Sequence, residues 1–214
     1  MGNKNLIIVP MKDPRRSKSR LKGCLSDLDR ELLVLKLFNQ TLDRLDKALN
    51  DLEVEFEVRV VTESEKIEDI CLSHNIRTIN SGEPKSLSLH LDYAARQAAK
   101  LKFSSLCIIP ADLADPKIED FKKLLSFPIV SGEVVMCPAN DLGTNALFVS
   151  PPNAFGFAYG TKSFLKHVKL AETANVRPVI LPLDSIKVDV DTSEDLENLL
   201  LKCPTFIKKV GMNE

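Results

Sequence analysis

An α/β domain with a largely parallel sheet is the fold class this sequence predicts, on two observations. Short apolar runs at Leu6–Pro10, Val54–Val61, Leu106–Pro110, Val134–Pro138 and Ala146–Val149 alternate with longer segments of helical period, the pattern of strands joined by crossover helices. No internal repeat, low-complexity stretch or linker divides the 214 residues, a length that suits one core. Residues 1–214 are therefore read as a single domain.

The elements follow in order. Leu6–Pro10 is the first strand. From Ser26, Leu28, Leu32, Leu35, Leu42, Leu45 and Leu49 recur at three- and four-residue steps, with Ser26 or Asp27 as N-cap, which predicts the first helix. Val54–Val60 alternates apolar and charged residues, so one face of that strand is less covered and it is expected on the outside of the sheet. A helix near Glu63–His74, a strand at Arg77–Ile79 and a helix from about Leu87 to Leu101 come next. Leu106–Ile109, the most hydrophobic run, is the central strand; helices follow at Ile118–Ser126 and Lys162–Thr173. Asp191-Thr192-Ser193 caps a last helix over Glu194–Leu201.

Composition narrows the function classes. With 44% hydrophobic residues, 28% charged residues and a net charge of -1, the chain is an ordinary globular protein and lacks the basic excess of a general nucleic-acid binder. Five cysteines, Cys24, Cys71, Cys107, Cys137 and Cys203, fit neither a disulfide framework nor a zinc site, which points to a reducing cytoplasm. No run approaches the roughly 18 apolar residues of a membrane span. Met1-Gly2 raises myristoylation, but Leu6 stands where that motif takes Ser or Thr.

In such sheets ligands bind beyond the carboxyl ends of the strands. The loops Pro10–Leu21, Pro110–Pro116, Pro138–Thr144, Pro151–Thr161 and Val188–Thr192 therefore carry the candidate residues. The first holds Lys12, Arg15, Arg16, Lys18 and Arg20, followed by Lys22, with hydroxyls at Ser17 and Ser19. It is either a solvated basic loop or a cradle for phosphate oxygens, and the Walker pattern is absent. Asp112, in Pro110-Ala-Asp-Leu113, is a hard ligand suited to Mg²⁺ or a cap for the next helix. Asp189 and Asp191, two apart, share a face and can bind one ion side by side; alternatively Asp191 caps the last helix and Asp189 faces solvent.

Gly143-Thr-Asn-Ala146 brings a flexible turn and two polar side chains to a strand edge. Gly160 and Ser163 sit where a helix begins, an anion site or an ordinary cap. His167 is expected as a partly exposed helix residue. The three histidines, His74, His90 and His167, lie on separate helices and support no covalent triad.

Taken in order, these motifs are familiar. Pro10-Met-Lys12 with Ser17-Lys-Ser-Arg-Leu21, Pro110-Ala-Asp-Leu113, Gly143-Thr-Asn-Ala-Leu147, Tyr159-Gly-x-x-Ser-Phe164 with His167, and Asp189-Val-Asp-Thr-x-Glu-Asp-Leu196 span almost the whole chain. The set resembles the guanylyltransferases of coenzyme F420 biosynthesis, which join GTP to 2-phospho-L-lactate, phosphoenolpyruvate or 3-phospho-D-glycerate.

The resemblance implies a three-layer, Rossmann-like nucleotidyltransferase fold with a mostly parallel mixed sheet, and a homodimer. By residue, it implies that Lys12, Ser17, Lys18, Arg20 and Ser88 hold the nucleotide, with Lys18, Arg20 and Asp112 catalytic. Asp112, Asp189 and Asp191 bind Mg²⁺, and Thr144, Asn145, Gly160 and Ser163 receive a small phosphorylated carboxylic acid. Two departures stand out: Leu87-Ser-Leu-His-Leu91 where the family has Leu-Asn-x-Ala-Leu, and Asp112-Leu-Ala-Asp115 where it has Asp-Leu-Pro-Leu. Asp115 is read as the start of the next helix. The competing readings are a nucleotidyltransferase for a sugar phosphate or another nucleotide, and a non-catalytic nucleotide-binding module.

Overall fold

Strands and helices alternate along the chain as the apolar runs predict. A computed structural model describes residues 4–82, 86–204 and 206, so the Met1-Gly2 reading lies outside the described residues. The strands are β1 (Asn5–Pro10), β2 (Phe56–Val61), β3 (Arg77–Ile79), β4 (Ser105–Ile108), β5 (Glu133–Pro138), β6 (Thr144–Ser150) and β7 (Arg177–Ile180). The helices are α1 (Asp27–Leu49), α2 (Glu65–Ser73), α3 (Leu87–Lys100), α4 (Ile118–Leu125), α5 (Ser163–Thr173) and α6 (Ser193–Lys202).

The strands form one sheet in the order β3-β2-β1-β4-β6-β5-β7. Pairings are parallel except at β6, which runs antiparallel to both β4 and β5. Alternate residues of the central strands feed opposite cores, as a pleated sheet covered on both faces requires. Ile7 and Val9 join Val34, Phe38, Leu42 and Leu45 of α1, Ile67 of α2 and Phe121 of α4 on one face. Leu6 and Ile8 join Leu91, Ala94 and Ala98 of α3 and Ala171 of α5 on the other. Each such large apolar side chain contributes about 1.5–3 kcal/mol by its burial. The result is the three-layer arrangement expected.

Three local expectations change. In α1 the buried set is centred on Leu33, Val34, Leu37 and Phe38, while Leu28 is exposed. The reason is that α1 is covered on two sides: Val34 and Phe38 face the sheet, whereas Leu33 and Leu37 pack with Leu196 and Leu199 of α6. β2 is not outermost, because β3 pairs beyond it, but only from Arg59 onward. Its first residues keep an open flank, and that accounts for the alternation in sequence. β7 is an edge strand that the apolar pattern does not reveal. Its four residues are half-buried or exposed and include Pro178, which an edge tolerates.

Helix ends match their local chemistry. Asp29 N–H donates to Ser26 Oγ at the start of α1, and Thr192 forms a capping box with Asp195 at the start of α6. This second cap leaves Asp191 outside the helix, free for another role.

Candidate active site

The carboxyl ends of β1, β2 and β4 open onto a cleft of about 870 Å³. Its lining includes Lys12, Arg16, Lys18 and Arg20 from the loop after β1, Glu63 after β2, Leu87 and His90 of α3, Asp112 after β4, and Gly160 and Asp191. The basic loop folds into two short 3₁₀ turns, Pro14–Arg16 and Ser19–Leu21, with Leu21 fully buried as an anchor. Asp13 accepts from the Arg15 backbone N–H and pairs with its guanidinium at 2.8 Å. Arg15 holds the Asp13 carboxyl below its ordinary range, and Arg15 itself is directed at this turn rather than at the cleft. Arg16, by contrast, lines the cleft. Lys12, Arg16 and Arg20 are exposed and make no ion pair among the described residues.

Lys18 is the pivot between the turns. Its backbone is left-handed, with φ 53° and ψ 43°, a conformation costly for a residue with a Cβ. The side chain is 4% exposed, and its ammonium bonds to Asp112 and, at 2.7 Å, to Asp191. Burial alone pushes that ammonium toward neutrality, but the two carboxylates outweigh it and raise its pKa.

Asp112, Asp189 and Asp191 converge. Each offers an oxygen, and these oxygens lie within 4.8 Å of one another. Backbone bonds set the approach: Ala114 N–H donates to the Val188 carbonyl at 3.0 Å and Val190 N–H to the Asp112 carbonyl at 3.2 Å. Val190 is buried between the two aspartates, so both point to the same side, as their spacing predicts. Asp189 is raised to about 6, first by burial and then by the charges of Asp112 and Asp191. Three carboxylates and one ammonium leave a surplus of negative charge on hard oxygen donors, and that donor set fits a divalent cation. The alternatives fall away, since Lys117 holds the N-cap position of α4 and Thr192 caps α6. Asp115 stands apart, paired with Lys117.

The expected acceptor residues divide. Gly160, exposed with φ 118°, reaches the cleft. Thr144, Ser163 and Asn145 are buried and do not line it. Thr144 N–H donates to Ser163 Oγ at 2.9 Å, and Asn145 Nδ2 donates to the Ile186 carbonyl at 2.7 Å. Ser17 lines the cleft while its hydroxyl donates to the Asp13 carbonyl, whereas Ser88 does not line it and accepts the Tyr159 N–H.

His167 is fully buried, not partly exposed. Its Nε2 accepts from Ala158 N–H at 2.9 Å, so the ring proton sits on Nδ1, 2.8 Å from Thr144 Oγ1. The ring lies 4.8 Å from that of Tyr159 and also meets Phe155 and Phe157. Burial, assisted by Lys166, holds it down at about 4, neutral near pH 7. Sequence spacing also passes over Glu63 and His90. The signal for Glu63 is its place two residues past the end of β2, at the ligand edge.

A doubly covered sheet whose carboxyl edge joins a basic loop to convergent carboxylates is the framework of a nucleotidyltransferase. Solved structures share that fold. A nucleotidyl transferase from Methanothermobacter thermautotrophicus superposes with a TM-score of 0.67 at 14% identity, over 98% of this chain and 100% of that one. A Mycobacterium tuberculosis protein in complex with manganese gives 0.59 at 13% identity, over 94% and 100%.

The particular family is shown by sequence. Residues 5–213 match the family described as "Guanylyl transferase CofC like", and the chain belongs to it. It is 37% identical to the 3-phospho-D-glycerate guanylyltransferase of Colwellia psychrerythraea, over 91% of this chain and 90% of that one. Identity to the 2-phospho-L-lactate guanylyltransferase of Methanocaldococcus vulcanius is 28%, over 92% and 84%. No helix among the described residues is long and apolar enough to cross a membrane.

Proposed function

We propose that this enzyme transfers the guanylyl group of GTP to the phosphate of a small phosphorylated carboxylic acid, releasing pyrophosphate. The observation that carries the reading is one cleft lined both by the cations Lys12, Arg16 and Arg20, which make no ion pair among the described residues, and by the carboxylates Asp112 and Asp191, on which Asp189 converges. The greater identity to a 3-phospho-D-glycerate enzyme makes that acid the first acceptor to test.

Asp112, Asp189 and Asp191 would hold Mg²⁺. When bound, that ion polarises phosphoryl oxygens and offsets charge on the leaving pyrophosphate. Lys12, Arg16 and Arg20 neutralise the triphosphate, and Lys18 is held beside the reacting phosphorus by Asp112 and Asp191. An oxygen of the acceptor phosphate, ionised near neutral pH, attacks the α-phosphorus in line; the bond to the β-phosphate oxygen breaks as the new one forms. No general base is needed, and the protein's work is to bring two mutually repelling anions together. Gly160 exposes backbone beside the acceptor, while Thr144, Asn145 and Ser163 support that wall from behind.

The test is pyrophosphate release from GTP with 3-phospho-D-glycerate, 2-phospho-L-lactate and phosphoenolpyruvate in turn. Release is expected with one of them and only with a divalent cation present. No release with any of the three would sink the reading.

A further inference from the structure

Among the described residues four carboxylates line the cleft: Asp13, Glu63, Asp112 and Asp191. Asp13 is engaged by Arg15, and Asp112 and Asp191 by Lys18. Glu63 is different. Its side chain is 43% exposed, and its one ion-pair neighbour among the described residues, His90 Nε2, stands at 3.7 Å, beyond hydrogen-bond reach. A carboxylate without a matching donor is a poor neighbour for a triphosphate. It needs a ligand group that donates hydrogen bonds.

Its position says which group. Glu63 directly follows Thr62 at the end of β2, and Asp112 follows β4, with β1 between them. Two strand spacings separate the two carboxylates' strands by about 10 Å, comparable to the reach from the α-phosphate of a nucleotide to the edge of its base. The basic loop after β1 lies between the two ends, where the phosphates and ribose would pass.

His90 completes the pattern. Its Nδ1 is hydrogen-bonded to Ser81 Oγ, and its Nε2 faces Glu63. When Ser81 donates to Nδ1, the ring carries its proton on Nε2. An acceptor, Glu63, then stands beside a donor, His90 Nε2–H. Guanine presents the complementary set on one edge, two donors at N1–H and the 2-amino group beside the O6 acceptor, whereas adenine presents an acceptor at N1 beside a donor at N6.

We infer that Glu63 and His90 read the guanine base, Glu63 accepting from N1–H and the 2-amino group and His90 donating to O6. The assignment rests on the guanylyltransferase reading above, and it makes the pair specificity-determining rather than catalytic.

The experiment compares binding of GTP, ITP, which lacks the 2-amino group, and ATP to the full-length wild-type, Glu63→Gln and His90→Ala proteins, with melting curves to verify folding. Wild type should favour GTP over ITP and ATP by at least about tenfold, the scale of one unmet hydrogen bond. Glu63→Gln should lose GTP affinity by a similar factor while ITP changes less, so the GTP/ITP ratio collapses. His90→Ala should weaken GTP and ITP together, because both carry O6. If wild type prefers GTP and Glu63→Gln keeps the full GTP/ITP ratio, the base assignment falls and the guanylyltransferase reading stands. If wild type itself prefers another base, both fall.

Discussion

Two polar clusters in this molecule have opposite constitutions. At the carboxyl ends of β1 and β4, Lys18, Asp112, Asp189 and Asp191 carry unequal charge, and Lys18, Asp112 and Asp191 line a cleft. Away from the cleft, Thr144, Ser163 and His167 are neutral, buried and hydrogen-bonded to one another and to backbone. Unbalanced charge at an edge is there for a ligand, whereas a closed neutral network holds the fold in one arrangement. Removing a member of the first should therefore cost activity, and removing a member of the second should cost stability.

The largest expected effect is on the first cluster. Asp112→Asn should lower kcat by at least about 10³-fold, in line with the several kcal/mol a bound ion supplies, while a melting curve moves by less than about 1 kcal/mol equivalent. Near-normal pyrophosphate release would break the contrast. Next, His167→Leu strands the Ala158 N–H and leaves Thr144 with one partner fewer, which should cost about 2–4 kcal/mol in denaturant unfolding. If that variant melts with wild type, the closed network is not structural.

The clusters also differ in proton linkage. His167 has a folded pKa of about 4 against an ordinary 6.5, so between those values the unfolded chain binds the extra proton. Its contribution is intact above pH 6.5 and declines as pH falls toward 4, by roughly 3 kcal/mol in all. Asp189 acts in the reverse sense. Its folded pKa is about 6 against an ordinary 3.8, so the folded chain takes the proton and this site gains stability as pH falls through that window. Chemical denaturation between pH 7 and 4 should therefore show a flatter profile for His167→Gln than for wild type, and a steeper one for Asp189→Asn. The reverse order would undo the distinction. The smallest effect divides the basic loop: Arg16→Ala should raise the KM for GTP by about fivefold, roughly 1 kcal/mol, and Arg15→Ala should leave it unchanged.

Much of this was legible in sequence because the central strands are buried on both faces and read as apolar runs. β7 was not, since an edge strand with Pro178 and no fully buried residue carries no such run. The aspartate site was legible because a spacing of two fixes a shared face, and because Asp112 follows the most apolar strand. The acceptor group was only partly so. Thr144, Asn145 and Ser163 have the residue types of a binding site, yet the same hydroxyls and amides also satisfy a buried network, and sequence does not show which way a side chain turns. His167 was missed for the same reason: its burial comes from Phe155, Phe157 and Tyr159, packed against it from outside its own helix.

β6 alone runs against the other strands. It begins at the ligand edge with Thr144 and ends at the far edge with Ser150, so the chain must climb back across the sheet before Gly160 can line the cleft. The returning strap is tied as it climbs, Phe157 N–H to Asp92, Ala158 N–H to His167 and Tyr159 N–H to Ser88. Anchored to α3 and α5, the strap works as a fixed jamb rather than a swinging door. Replacing Asp92 or Ser88 would then shift Gly160 at the cleft edge without changing any residue that lines the cleft.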